Sequence, residues 1–576
     1  MRRSVLLLTA PLLACGAEGR PPAPVPAASA SSSPPAPIEK TKREPVVVAI
    51  VVDQFSAWVA ESRLPLLPQS ANGGLTRLAK EGTWAKRLTY PYAVTDTAPG
   101  HASLHTGKLP SESGVFSNEL PDPNGPRRTS VLRDPATKLV TSKGIIDVPG
   151  SSAAHLVVPT VADRLRAAHS DALVVSVSLK DRGAIVPAGK HPSYALWFDT
   201  PEGAFVTSTA FAKAYPTWAL GIGDAASITA LRSTPWKPLD AEWLARSSGV
   251  KDDAPGEGDL EGLGTTFPHP IKTPAAFRAT PASDQAITRL ALAAVLAEWR
   301  ADRPTLVLMS FTANDVIGHV YGPDSWEAWD ELRRLDETLG EFFDALEKKV
   351  GPVGIVLSAD HGNVPMPEST ESRKKVCPDC KTGERLSPQA LTVEMRAAVK
   401  KSIPDVDPKD VISGFADPYV FLSPAARAFD AKKRALVDKA VRDVLMKHKG
   451  VQDVLDVRTL AEKCPEAIAK GGEDDLALVC RGWPPGAPGD TGAGDYYVLC
   501  TKGSFFEAEM TIGKGTSHGT QYLFDREVPL FVRTPDHANA GTVISERVDF
   551  TSYSAIEASL LGLDPRSPKE ILEKTK

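Results

Sequence analysis

Val46 to Val52 reads VVVAIVV, an unbroken apolar run rich in β-branched residues that stops at Asp53. Continuous hydrophobicity of this length predicts a strand buried on both faces, as in a parallel sheet. Similar runs recur at Ala172–Leu179, Thr305–Phe311, Gly354–Ser358 and Val528–Val532. Between them, helical periodicity predicts helices over Gly74–Glu81, Val158–Ala168, Asp284–Trp299 and Trp326–Lys349. Strands alternating with helices give an α/β fold, with a mostly parallel central sheet flanked by helices. Two stretches break the alternation. Residues 185–282, rich in Trp, Pro and Gly, read as an inserted cap. Residues 365–515 carry helical patterns at Pro388–Lys400 and Asp430–Lys447 with hairpin-like strands, and read as a second insertion. The core is therefore expected in three parts: 45–184, 283–364 and 516–576. No internal repeat of fixed period interrupts this reading.

The ends add a location. MRRSVLLLTAPLLA opens the chain with Arg2 and Arg3, then an apolar run from Val5 to Leu13 too short to span a bilayer. It ends in Leu12-Leu13-Ala14-Cys15, which resembles a bacterial lipobox. Residues 1–15 thus read as a lipoprotein-type signal with a lipid anchor on Cys15. Residues 16–44, dominated by Pro, Ala and Ser, read as a tether that cannot bury enough apolar surface to fold. The expected site is the periplasm or cell envelope, anchored to the outer membrane, as a monomer. Net charge is −5 and no Lys/Arg-rich patch points to nucleic acid. Export permits disulfides. A local bridge is expected at Cys377-Pro-Asp-Cys380, and another among Cys464, Cys480 and Cys500, leaving one thiol over.

In open α/β sheets, ligands bind at the carboxyl ends of the strands. There the sequence places Asp53, Lys180-Asp181-Arg182, Asp315 with His319, and Asp360-His361; Ser517-His518-Gly519 precedes the last run. Taken singly, each has a plain structural explanation as a cap, a turn former or a solvated charge. Together they differ. Asp315 and His319 are spaced i, i+4, on one face of a helical turn. Asp53, Asp315, His319, Asp360, His361 and His518 are six N/O ligands from four segments, enough for two divalent ions, and imidazole with carboxylate suits zinc. Lys180 and Arg182, two apart on an expected extended run, point the same way. They could grip an anion as a point charge and a fork.

The motifs VVDQ (51–54), TAPGHAS (97–103), SLKDR (178–182), DVIGH (315–319), ADHG (359–362) and SHG (517–519) resemble the alkaline phosphatase superfamily. The likeness is greatest to its phosphate-irrepressible single-component alkaline phosphatases, whose fold is like that of type I phosphodiesterases and nucleotide pyrophosphatases. The resemblance implies Thr97 as nucleophile, passing through a phosphothreonine. It implies two Zn²⁺ per chain, one held by Asp315, His319 and His518, the other by Asp53, Asp360 and His361 with the Thr97 oxygen. Asn118, in SNEL, joins Lys180 and Arg182 at the transferred phosphoryl group, and Thr95, Asp96, His101 and Ser103 are supporting residues. Two cations beside two metal ions suit a dianionic monoester better than a diester, so phosphate monoesters are the expected substrates. A phosphodiesterase or nucleotide pyrophosphatase on the same core is the alternative. Trp197 and Phe198 are expected in the core, His105 and His269 carry no motif, and Asp474-Asp475 reads as a solvated loop.

Overall fold

The computed structural model describes residues 43–69, 73–121, 128–380, 383–484, 492–507 and 515–574. The signal, Cys15 and nearly all of the tether lie outside the described residues. The central sheet has eleven strands. In chain order they are β1 (Val46–Val52), β2 (Thr83–Thr89), β3 (Arg133–Thr141), β4 (Gly144–Ser151), β5 (Leu173–Ser178), β6 (Tyr194–Asp199), β7 (Ala204–Ser208), β8 (Thr305–Phe311), β9 (Gly354–Ser358), β10 (Glu527–Arg533) and β11 (Thr542–Asp549). Across the sheet they run β11-β2-β10-β9-β1-β8-β5-β6-β7-β3-β4.

The middle of the sheet, β9-β1-β8-β5-β6, is parallel throughout. The register pairs Val46 with Thr305 and Val47 with Gly354, so β1, β8 and β9 end side by side. All seven residues of β1 are buried, as are all those of β5, β8 and β9. Each fully buried Val or Leu contributes roughly 1.5–3 kcal/mol, which makes this the best-determined part of the fold. The long helix Trp326–Val350 covers it with a buried stripe of Leu332, Leu335, Leu339, Phe342, Phe343 and Leu346. Ser325 caps that helix by accepting from Ala328 N, and Gly351 ends it at φ 76°. The margins turn antiparallel: β10 against β9 and β2, and β7, β3 and β4 in sequence beyond β6.

Residues 185–282 are not wholly separate from the core. β6 and β7 lie inside this stretch and extend the main sheet, because YALWFD pairs parallel to β5. Trp197 and Phe198 on β6 are buried. Short helices, Ala225–Arg232 and Ala241–Ser248, follow. Within 365–515 a second, four-stranded antiparallel sheet forms, in the order Ile412–Ala416, Tyr419–Leu422, Tyr496–Cys500, Val451–Asp456. Helices Pro388–Ser402 and Ala431–Leu445 close over it around their own apolar cluster, including Met395, Val441, Val420 and Val498.

Two sequence expectations change. Lys180 and Arg182 do not share an extended run: Lys180 is the extended residue before helix Asp181–Ala188, and Arg182 lies in that helix's first turn. Asp474 is not a loop charge, since its side chain caps helix Asp475–Gly482 by accepting from Ala477 N. His105 and His269 are core residues, held by Glu557 at 3.0 Å and Glu327 at 2.8 Å. Disulfides join Cys377 to Cys380 and Cys464 to Cys480, and Cys500 stays a buried thiol. No helix among the described residues is long and apolar enough to cross a membrane.

Candidate active site and metal centre

Four neighbouring parallel strands deliver the site. Asp53 follows β1, Asp315 sits in the first turn of helix Ala313–Tyr321 after β8, Asp360 and His361 follow β9, and Lys180 follows β5. Because these strands end in register, residues far apart in sequence meet at one edge. Ligand atoms of Asp53, Asp360 and His361 lie within 4.8 Å of one another, and so do those of Asp315, His361 and His518. His319 belongs to neither group, but its Nε2 is 3.2 Å from Asp315 Oδ1. The His361 and His518 rings stack with centroids 3.7 Å apart.

The imidazoles are oriented alike. His319 Nδ1 donates to Thr516 O, His361 Nδ1 to Gly362 O and His518 Nδ1 to Thr95 O, each at 3.0 Å. A carbonyl only accepts, so the proton sits on Nδ1 and Nε2 is left facing the acids. His361 Nε2 is 3.4 Å from Asp53 Oδ1, and His518 Nε2 is 3.7 Å from Asp315 Oδ1. Lone pairs facing carboxylate oxygens repel unless a cation lies between them. Asp53 Oδ1, buried, also has no hydrogen-bond donor among the described residues. Such a donor set, with second-shell carbonyls fixing each ring, fits divalent metal ions of the zinc type.

The nucleophile candidate is placed by its helix. Thr97 opens helix Thr97–Thr106, whose cap Asp96 accepts from Thr97 N at 3.1 Å. Thr97 is fully buried, its Oγ1 3.5 Å from His361 Nε2 and 3.1 Å from the Lys180 ammonium. Asn118 Oδ1 accepts from Ala98 N at 2.8 Å, and its amide donates to Asp96. His101 Nδ1 lies 2.9 Å from Thr97 O and 3.2 Å from Asp360 Oδ2, tying the helix that begins at Thr97 to the end of β9.

Charge is concentrated here. Lys180 Nζ is 2.7 Å from both Asp53 Oδ2 and Asp315 Oδ2. Burial alone would weaken its charge, but Asp315 and Asp53 raise its pKa. Burial, then the charges of Asp315 and Asp360, push Asp53 well above the usual carboxylate range. Burial would also raise Asp315, yet the Lys180 ammonium beside it holds it well below. Asp96, Asn118, Lys180, Arg182, Asp315, His319 and His518 line one cavity of about 790 Å³. Thr97, Asp53, Asp360 and His361 are buried and do not line it, but Thr97 Oγ1 and Asp53 Oδ2 meet the lining Lys180 ammonium. The far wall includes Phe415, Asp417 and Glu507 from the second sheet region. Sequence reasoning gave no role to Glu507, 3.3 Å from His319 Nδ1, which carries no motif, or to Gln54, which lies in VVDQ but was not singled out.

A family model described as type I phosphodiesterase / nucleotide pyrophosphatase matches residues 47–519. The chain belongs to that family. Among curated relatives, this phosphodiesterase-family chain is 32% identical over 345 residues to alkaline phosphatase PhoV of Synechococcus elongatus, covering 56% of this chain and 60% of that one. It is 28% identical over 492 residues to alkaline phosphatase PhoK of a Sphingomonas species, covering 84% and 83%. The match to PhoV thus spans less than two thirds of that relative. In fold, the family member is similar to the crystal structure of alkaline phosphatase PafA, with a TM-score of 0.76 at 24% identity over 92% of this chain and 99% of that one. Another solved structure of PafA carries substitutions at a threonine, an asparagine, a lysine and an arginine.

Proposed function

We propose that the chain is an exported, zinc-dependent alkaline phosphatase that hydrolyses phosphate monoesters through a phosphothreonine on Thr97. The observation that carries this reading is the meeting of Thr97 Oγ1 and two groups of acids and imidazoles with the Lys180 ammonium, which itself lines the cavity. Asp315, His319 and His518 would hold one zinc, and Asp53, Asp360 and His361 the other. When bound, the two ions supply Lewis-acid stabilisation of charge for a displacement at phosphorus.

The chain's own residues do the rest. The helix beginning at Thr97 points the positive end of its dipole at an incoming anion. Lys180, 3.1 Å from Thr97 Oγ1, favours the deprotonated hydroxyl that attacks phosphorus. Asn118, fixed against Asp96 and Ala98, and the Arg182 fork receive non-bridging phosphate oxygens. Water then hydrolyses the phosphothreonine, so two displacements retain configuration at phosphorus. A monoester dianion gains from both cations, whereas a diester carries one charge less. The PafA variant substituted at a threonine, an asparagine, a lysine and an arginine, the same residue types in the same order, supports these roles. The signal-like start and two disulfides support export, with Cys15 as anchor and 16–44 as tether.

The test compares p-nitrophenyl phosphate with bis-p-nitrophenyl phosphate on the zinc-loaded protein and its Thr97→Ala variant. Faster monoester turnover, lost in the variant, is expected. Faster diester turnover would make the protein a phosphodiesterase instead.

A further inference from the structure

We propose that Gln54 is a positioning residue that couples the two metal-ligand groups; the inference rests on the bimetallic reading above. β1 lies between β8 and β9, so a residue at its end is placed to reach both neighbours. Asp53 supplies a ligand there, and Gln54 follows it at φ 65°. That left-handed conformation is uncommon for a residue other than glycine and persists only where the surroundings demand it.

The contacts show what the conformation achieves. Gln54 is 1% exposed. Its backbone N–H donates to Asp360 Oδ1 at 3.2 Å, beyond β9. Its side-chain amide donates to Asp315 Oδ1 at 2.9 Å, beyond β8. Its carbonyl accepts from Asn363 Nδ2 at 3.2 Å, two residues past His361. One residue therefore grips a carboxylate from each ligand group. Glutamate would replace the donor with a further negative charge, and asparagine is shorter by a methylene.

Gly318 supports the same reading from the other side. It precedes His319, and a Cβ there would lie 2.0 Å from Gln54 Oε1. A side chain at this position would fill the space the Gln54 amide occupies against the helix that carries both Asp315 and His319. Second-shell partners of this kind orient ligands and set metal affinity.

The experiment uses Gln54→Gly, which keeps the left-handed backbone and the N–H to Asp360 and removes only the amide. Zinc is titrated against a chromophoric chelator, alongside kcat, KM and thermal unfolding. Wild type is expected to bind two ions, and Gln54→Gly to bind one of them 10–100-fold more weakly. The variant should lose kcat with little change in KM, and unfold near the wild-type temperature. Gly318→Ala, which leaves every ligand in place, should weaken zinc in the same direction, and the double variant should add little to either single loss. Wild-type zinc affinity at both sites in Gln54→Gly would overturn the coupling. A wild type that binds fewer than two ions would overturn the bimetallic reading itself, and the coupling with it.

Discussion

Gly100 offers a quantitative test of how the nucleophile is held. It sits in the first turn of the Thr97 helix, against the backbone of Asp360. A Cβ at Gly100 would lie 2.2 Å from Asp360 O, 2.7 Å from its carbonyl carbon and 2.8 Å from its Cβ. The obstacle is backbone, so no side chain can swing aside. Ordinary contact begins near 3.4 Å, so Gly100→Ala must drive helix and strand end apart by about 1.2 Å. That displacement falls between Thr97 and the Asp360-His361 ligands. A misplacement of about 1 Å at reacting groups costs roughly 10²-fold in rate. Overpacking a filled interior costs about 1–3 kcal/mol in stability. The assay is kcat/KM for p-nitrophenyl phosphate with saturating zinc, read beside the thermal midpoint. Gly100→Ala should lose about 10²-fold in kcat/KM while remaining folded. Gly100→Ala with wild-type turnover would show that the contact does not set the geometry.

Other outcomes follow from separate parts of the molecule. Lys180→Ala should slow monoester hydrolysis by about 10²-fold and diester hydrolysis far less, measured on the same pair of nitrophenyl esters. Removal of metal with a strong chelator should abolish activity, and zinc should restore it; turnover in the stripped protein would refute the metal requirement. Asp284 and Glu331 face each other in the interior, and burial raises both, Asp284 to about 7. An acid whose folded pKa is raised lends its full stability below about pH 4 and loses it as pH rises through the folded value. Glu331→Gln should therefore match wild type near pH 4 and be the more stable of the two at pH 9 in urea unfolding. Equal stability at both pH values would exclude strain in the pair. Replacing Cys464 and Cys480 by Ser opens a loop of sequence separation 16 and should cost about 3 kcal/mol. Calorimetry checks it.

The strands that carry the site were legible because nothing competes with their burial: Val46–Val52, Thr305–Phe311 and Gly354–Ser358 appear with the boundaries the apolar runs gave them. Residues following such runs had to converge, since parallel strands end together. The antiparallel margins were harder. β2, TWAKRLT, alternates and pairs with segments some 450 residues away, and nothing local announces that partner. β6 hid in a stretch rich in Trp and Pro because its pairing with β5 is tertiary. Lys180 and Arg182 looked extended because helix Asp181–Ala188 holds a glycine and a proline, both poor interior residues, and is set by packing against β5 and β6. Gln54 was invisible for a plainer reason. Glutamine has no preference for positive φ, so only the assembled site shows why the chain turns there.

The second sheet region has a further consequence. Its strands close around their own apolar cluster, yet it lends Phe415, Asp417 and Glu507 to the wall of the pocket. Thr97 and the acids Asp53, Asp315 and Asp360, which the proposal makes nucleophile and ligands, belong instead to the main scaffold. On the proposed mechanism, the pocket wall and the reacting groups are thereby supplied by different building blocks. Evolution, or an engineer, can remodel the entrance on the smaller block for new alcohols while the chemistry beneath keeps its alignment.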